Sequence, residues 1–247
     1  MINDNFTVDG KHMRIHQFFQ KQDEKAFFAL LRLKYAIFVN ELGFTNLKHD
    51  ADTKTVYPDE YDDQGYFTTV MNNQENMVGM VRSLIIQEDF PHKSLFAHHG
   101  SVFPLQSSSG LLSTINALGV IAVLRKKTID PQWTATPMTI GQLLMILAVE
   151  WLRKYGAVAV LASSNPSLVQ KLLLPMGFQV LDPIFSYQFS PLPVVNLALL
   201  INSKKYLQTA SYIAGELKKE PLSAFELRLK TYMDKRHARY AQEVLSW

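Results

Sequence analysis

The run Thr139-Ile140-Gly141-Gln142-Leu143-Leu144-Met145-Ile146-Leu147-Ala148-Val149-Glu150-Trp151-Leu152-Arg153-Lys154-Tyr155-Gly156 reads as one helix with both ends marked. Thr139 suits the cap, Leu143, Leu144, Leu147, Trp151 and Leu152 make a wide apolar stripe, and Gly156 stops it. Val158 to Ala162 follows, short and wholly apolar, as in a strand buried on both faces. Upstream, Ile115 to Leu124 reads as another strand, and Arg125 to Pro137 as a loop. Strand, helix and strand in that order predict a parallel crossover, with Ile115 to Val123 as its first strand, inside a mixed sheet.

Working outward, Met13 to Phe19 predicts a first strand, and Asp23 to Glu41 a helix with Phe27, Leu30, Leu31, Lys34 and Phe38 on one face. Leu42 to Gly65 is a polar loop with six Asp and Glu residues. Tyr66 to Met71 and Met77 to Ile86 predict a hairpin about Asn72 to Asn76. Glu88 to Ser109 reads as irregular. Beyond the crossover, Asn165-Pro166 opens a helix that Gly177 closes. Phe178 to Leu181, Ile184 to Phe189 and Val194 to Ile201 predict strands, and Lys204 to Lys219 and Leu222 to Val244 predict helices split at Pro221. The expected division is a main domain over 1–202 and a helical extension over 203–247.

With 247 residues, 47% of them hydrophobic, the chain has ample material for a core, which argues against disorder. It has no cysteine, so disulfides, cysteine-ligated metals and cysteine nucleophiles are excluded. No His-x-x-x-His pair is expected on a helix, and the adjacent His98-His99 suggests neither a metal site nor a triad. The polar start is unlike a secretory signal, and Ile140 to Leu152 is too short to span a bilayer, so a cytoplasmic protein without stable membrane insertion is expected. A net charge of +3 is too small for a polybasic nucleic-acid binder. The charge is uneven, however: from Lys204 onward there are nine Lys and Arg against five Asp and Glu. That tail is either a solvated helix face or a docking surface for an acidic partner.

Several short segments share an order. Lys34-Tyr35-Ala36-Ile37-Phe38 is followed by Glu41-Leu42-Gly43-Phe44, Asp59-Glu60-Tyr61-Asp62 and Val78-Gly79-Met80-Val81-Arg82. The helix starting Thr139-Ile140-Gly141, the Ser163-Ser164-Asn165-Pro166 turn and the closing Gly177-Phe178 come later. The later segments resemble the core of the GNAT superfamily of N-acetyltransferases. The earlier ones resemble the autoinducer (acyl-homoserine-lactone) synthases and the related N-acyl amino acid synthases, over roughly residues 25–185. The resemblance implies an α+β GNAT-type fold, a mixed splayed sheet covered by helices on both faces.

It also implies transfer of a fatty acyl group, from the phosphopantetheine thioester of acyl-carrier protein or from acyl-CoA, to the amine of an amino acid or similar small molecule. No metal is implied. Asp59, Asp62, Arg82 and Asn116 are the candidate catalytic residues. Val120, Ile121, Arg125, Thr139, Ile140, Gly141 and Asn165 are the candidates for holding the donor. Helix-start amides suit phosphates, and strand amides near Val120 and Ile121 would polarise the thioester carbonyl. Asp59 or Asp62 would take the amine's proton through water, or would simply pair with Arg82. Arg125-Lys126-Lys127 and the basic tail would form a rim for an acidic carrier protein.

The chain departs from the family at several positions. Lys34 stands for an arginine, Phe44 for a tryptophan and Tyr57 for a glutamate. Asn116-Ala117-Leu118-Gly119 lacks the acid and arginine of the family's central strand, and the superfamily's glycine loop does not follow Arg125-Lys126-Lys127. Three readings stay open: an N-acyltransferase, a non-catalytic acyl-pantetheine-binding module, and an autoinducer synthase using S-adenosylmethionine.

Overall fold

The structure is a computed structural model and describes residues 4–44, 46–86, 111–134, 136–187, 190–214, 217 and 220–247. Among the described residues ten strands form: β1 (Asn5–Val8), β2 (Lys11–Phe19), β3 (His49–Asp50), β4 (Thr55–Val56), β5 (Tyr66–Asn72), β6 (Met77–Ile85), β7 (Leu111–Val120), β8 (Ala157–Ser164), β9 (Gln179–Val180) and β10 (Val195–Leu200). The main helices are α1 (Glu24–Lys34), α2 (Ile140–Lys154), α3 (Pro166 to Met176), α4 (Lys204–Ala214) and α5 (Ala224–Leu245). Eight strands make one mixed sheet in the order β1-β2-β5-β6-β7-β8-β10-β9, and β3 with β4 makes a small separate hairpin.

The expected crossover is present. β7 and β8 pair in parallel from Leu111↔Ala157 to Thr114↔Leu161, with α2 between them in sequence. The described pairing stops at Thr114, next to the expected splay, while β8 keeps its antiparallel partner β10 as far as Ser164↔Val195. Ala117 then adopts a left-handed backbone, φ 52°, inside β7. For a residue with a Cβ that conformation costs about 1–2 kcal/mol, and within a strand it marks a bulge.

Several boundaries differ from the sequence reading. β1 was not expected, and it is joined to β2 by Asp9-Gly10, both at positive φ, the two-residue turn that suits a hairpin. β7 ends at Val120 because Ala122–Leu124 turns into a short 3-10 helix. The expected helix over Asp23 to Glu41 widens after Lys34 into a π-helical turn, Tyr35–Glu41. Ile184 to Phe189 forms no strand among the described residues; only a single bridge, Phe185↔Val194, is made. Pro191 and Pro193 on the return path have no N–H to extend that ladder. The reading of Glu88 to Ser109, with His98-His99, lies outside the described residues.

The chain divides into two compact units. The first holds Met1–Leu84, Ala117–Ala148 and Tyr212–Gly215. Its core packs Phe27, Leu30, Leu31 and Ile37 of the first helix against Phe18, Phe67 and Met80 of the sheet. The second holds Ile85–Asn116, Val149–Ser211 and Glu216–Trp247. There Phe225, Leu229 and Met233 of α5 share a core with Leu161, Leu181, Ala198 and Leu200. The C-terminal helix thus contributes three side chains to this core.

Candidate functional site

The first unit gathers four charged side chains at one place. Alternation along β6 turns Met80 and Arg82 toward the α1 side, with Phe67 of β5 paired opposite Arg82. The apolar stripe of α1 carries Lys34 into the same interior, where its ammonium lies 5.8 Å from the Phe67 ring. Lys34 Nζ donates to both oxygens of Asp62, at 3.0 and 3.3 Å. Arg82 Nη1 donates to Asp59 Oδ1 at 2.5 Å and also to Asp62 Oδ1. The Asp59 N–H closes the loop on Asp62 Oδ2 at 3.0 Å, and the Tyr61 N–H donates to Asp59 Oδ1 at 3.0 Å.

Burial separates the four. The Asp62 side chain is 0% exposed, Arg82 4% and Lys34 8%, whereas Asp59 is 47% exposed. Two cations balance two carboxylates, which is what makes such burial tolerable. Gly65 is part of the fit: a Cβ there would lie 2.8 Å from Arg82 Cδ. Burial pulls the Lys34 ammonium below its ordinary value, and the Arg82 charge adds to this, against the pull of Asp62 and Asp59. Burial pushes the Asp59 carboxyl up, but the Arg82 charge and hydrogen bond, with Lys34, outweigh it and hold the group below the ordinary aspartate value.

This geometry revises the expected proton transfer. Asp62 is enclosed, with both oxygens in contact with cations or an amide, so it holds the cluster together. Asp59 presents a half-exposed carboxylate that stays ionised. Such a group holds a cation well and accepts a proton poorly.

A second group of expected residues meets around Gly79 of β6. A Cβ on Gly79 would lie 3.2 Å from Ile140 and 3.1 Å from Leu144, so the glycine lets the start of α2 lie directly on the strand. The Ile121 N–H donates to Val78 O at 3.0 Å, so it is not available to a thioester carbonyl as expected. The Val120 carbonyl accepts from Arg125 Nε at 2.7 Å. Thr139 caps α2 as expected: its hydroxyl accepts from the Gln142 N–H at 3.3 Å, while Gln142 Oε1 accepts from the Thr139 N–H at 2.8 Å. Ile140 is fully buried and Gly141 half-buried.

No protein-family model matches the sequence, and no curated protein matches it. Solved structures do match. The CoA-dependent acyl-homoserine lactone synthase BjaI, solved with SAM and isopentyl-CoA, is 16% identical with a TM-score of 0.62, over 88% of this chain and 98% of that one. The AHL synthase LasI is 16% identical with a TM-score of 0.58, over 86% of this chain and all of LasI. FeeM, an N-acyl amino acid synthase from uncultured soil microbes, is 13% identical with a TM-score of 0.52, over 79% and 92%. The fold is that of the acyl-homoserine-lactone synthases.

Within this synthase fold the remaining candidates are less concentrated. Asn116 lies half-buried on β7 in the second unit. Asn165 there caps α3, its side-chain oxygen accepting from the Leu168 N–H at 3.0 Å, which explains its place without a ligand. In the basic loop, Arg125 pairs with Glu41 and Lys127 with Asp9 at 2.9 Å, which leaves Lys126 as the loop cation with no ion pair among the described residues. Among the described residues no group of three or more His, Asp and Glu side chains would hold a metal ion, and no helix is long and apolar enough to cross a membrane.

Sequence reading alone did not assign Lys34 a place in the cluster, nor see Gly65 or Ala117. A lysine on an otherwise apolar helix face was the available signal for the first, since buried lysines need partners. Nothing local marks Gly65 or Ala117, because each is fixed by a distant strand or by sheet irregularity.

Proposed function

We propose that this chain is an N-acyltransferase that moves a fatty acyl group from a phosphopantetheine thioester to the amine of an amino acid or similar small molecule. The observation that carries the reading is the half-exposed, ionised Asp59 held by buried Arg82, Lys34 and Asp62. The carboxylate draws the ammonium form of the acceptor and fixes its nitrogen. The amine loses its proton to water, attacks the thioester carbonyl, forms the C–N bond and releases the thiol. The first two amides of α2, on Ile140 and Gly141, have no acceptor within the helix and would take donor phosphate oxygens. The N–H of Val120 remains the candidate for the developing oxyanion. An acyl-carrier protein is the donor we favour over acyl-CoA, with Lys126 and the exposed Arg125 and Lys127 on its approach.

A second reading is favoured by Asn116 and Gly119: without the central-strand acid and arginine, a non-catalytic acyl-pantetheine binder keeps the fold. An autoinducer synthase using S-adenosylmethionine is set aside on the same two positions. Mass spectrometry of lipid extracts from cells expressing the protein separates these readings. The expected result is an N-acylated small molecule absent from cells carrying Asp59→Asn. No new lipid in either culture supports the binder, and an acyl-homoserine lactone supports the synthase.

A further inference from the structure

The two C-terminal helices carry seven Lys and Arg against three Asp and Glu. All three acids are on α5, and each is engaged with the body of the second unit. Glu226 is buried and accepts from Asn202 Nδ2 at 3.0 Å and the Ser223 N–H at 2.8 Å. Asp234 accepts from Gln179 Nε2 at 2.8 Å and pairs with Lys230 at 2.5 Å. Glu243 accepts from the Ile184 N–H at 3.2 Å.

The outward cations are different. Arg228, Lys235 and Arg239 are exposed, and no carboxylate among the described residues lies within ion-pair distance of them. Their spacing of seven and four residues sets them in one line, within about 40° of each other around the helix and over about 16 Å of its length. On one flank of that line the exposed positions are uncharged, Leu227, Thr231, Ala238, Gln242 and Leu245, while exposed Glu243 on the other flank accepts from the Ile184 N–H. Leu227 and Leu245 are 52% and 57% exposed, and Trp247 just beyond the helix is 64% exposed. The cation line and its apolar flank run about 27 Å from Leu227 to Leu245.

We propose that the outer face of α5 is a docking surface for an anionic lipid membrane. Three aligned cations over about 16 Å, beside exposed leucines about 27 Å apart and next to a tryptophan, match an extended flat partner with negative headgroups over an apolar layer. The other face of α5 stays in the protein core through Phe225, Leu229 and Met233, so contact is peripheral and nothing inserts deeply. This proposal stands apart from the acyltransferase reading, since it concerns binding alone.

The test is sedimentation of the full chain with phosphatidylglycerol-rich vesicles and with phosphatidylcholine vesicles, at low and high salt. Binding is expected to the anionic vesicles only and to weaken with salt. Each cation near such a surface is worth about fivefold in partitioning, so Arg228→Gln/Lys235→Gln/Arg239→Gln is expected to lose on the order of a hundredfold. Trp247 fluorescence is expected to shift to the blue on anionic vesicles, and the shift is expected to vanish in Trp247→Phe. All substituted positions are exposed, and circular dichroism confirms that the variants fold. Equal binding by wild type and the triple variant overturns the proposal. So does an absence of vesicle binding, including the case where the same face binds acyl-carrier protein instead.

Discussion

Asp62 and Asp182 are both wholly buried carboxylates reached by an arginine, Arg82 in the first unit and Arg236 in the second. Around Asp182 the contacts are closed. Asn196 Nδ2 donates to it at 2.8 Å, Ser163 donates to Asn196 at 2.7 Å, and Arg236 also donates to the Leu181 carbonyl at 2.5 Å. Arg236 stands on α5, and its contacts with Leu181 and Asp182, just after β9, join that helix to the edge of the sheet. Around Asp62 there is a second cation, Lys34, and a second carboxylate, Asp59, which remains half-exposed. The same pairing chemistry therefore makes a staple in one unit and a site with one available group in the other. The extra pair of opposite charges is what leaves a charged edge facing outward without leaving a buried charge alone.

The largest difference is expected from Arg82→Met. It removes a buried cation from beside the fully buried Asp62, and urea denaturation should show a loss of about 3–5 kcal/mol, with acyl transfer gone as well. Arg236→Met should cost a comparable amount, about 3–5 kcal/mol, because it takes the cation from the wholly buried Asp182, which keeps the Asn196 amide. Transfer by its folded fraction should be unchanged. Equal loss of transfer in both variants would erase the distinction between staple and site.

Gly65→Ala sharpens the same point from a position with no charge. The new Cβ forces the Arg82 stem aside, for about 1–3 kcal/mol of stability. Transfer should fall further than stability, since Arg82 positions Asp59. A Gly65→Ala protein with full activity would show that the arginine's placement does not matter.

The smallest effect belongs to His237 on the staple side. Its Nδ1 accepts from the Val180 N–H at 3.0 Å, so it must be unprotonated there. Burial lowers its affinity for a proton, Lys205 adds to this, and Asp234 opposes it. The unfolded chain therefore binds the proton more readily, and the stability contribution is complete above the ordinary histidine value. It declines as the pH falls through about 6.5 and below. Urea midpoints at pH 7.5 and 5.5 should differ in wild type and differ less in His237→Gln. The Asp59 carboxyl, held below the ordinary aspartate value, does not contribute in that window.

How much of this was legible follows from the range of the interactions. The α2 helix, its Thr139 cap, its Gly156 stop and the β5–β6 hairpin rest on neighbours in sequence, and each stands where the pattern placed it within a few residues. The union of Asp59, Asp62 and Arg82 was expected from their order, and the structure joins all three. The Asp9-Gly10 turn was a local signal left unread, and β1 was missed with it. The Ile121 amide, by contrast, was assigned to a ligand because sequence does not show that β6 already uses it. Lys34 is the instructive case. Its place on an apolar stripe was visible, but its partner lies 28 residues away and only the folded loop identifies it.

The most direct measurement pairs Asp59→Asn with wild type in purified form. Each is given a long-chain acyl-carrier protein and, separately, the matching acyl-CoA, with a mixture of amino acids, and N-acylated product is read by mass spectrometry alongside urea denaturation. Wild type should yield product and release one thiol per amide formed. Asp59→Asn should be slower by on the order of a hundredfold with stability within about 1 kcal/mol, because the lost group is half-exposed. Product formation by Asp59→Asn at the wild-type rate, or no amide from wild type with either donor, would contradict the account.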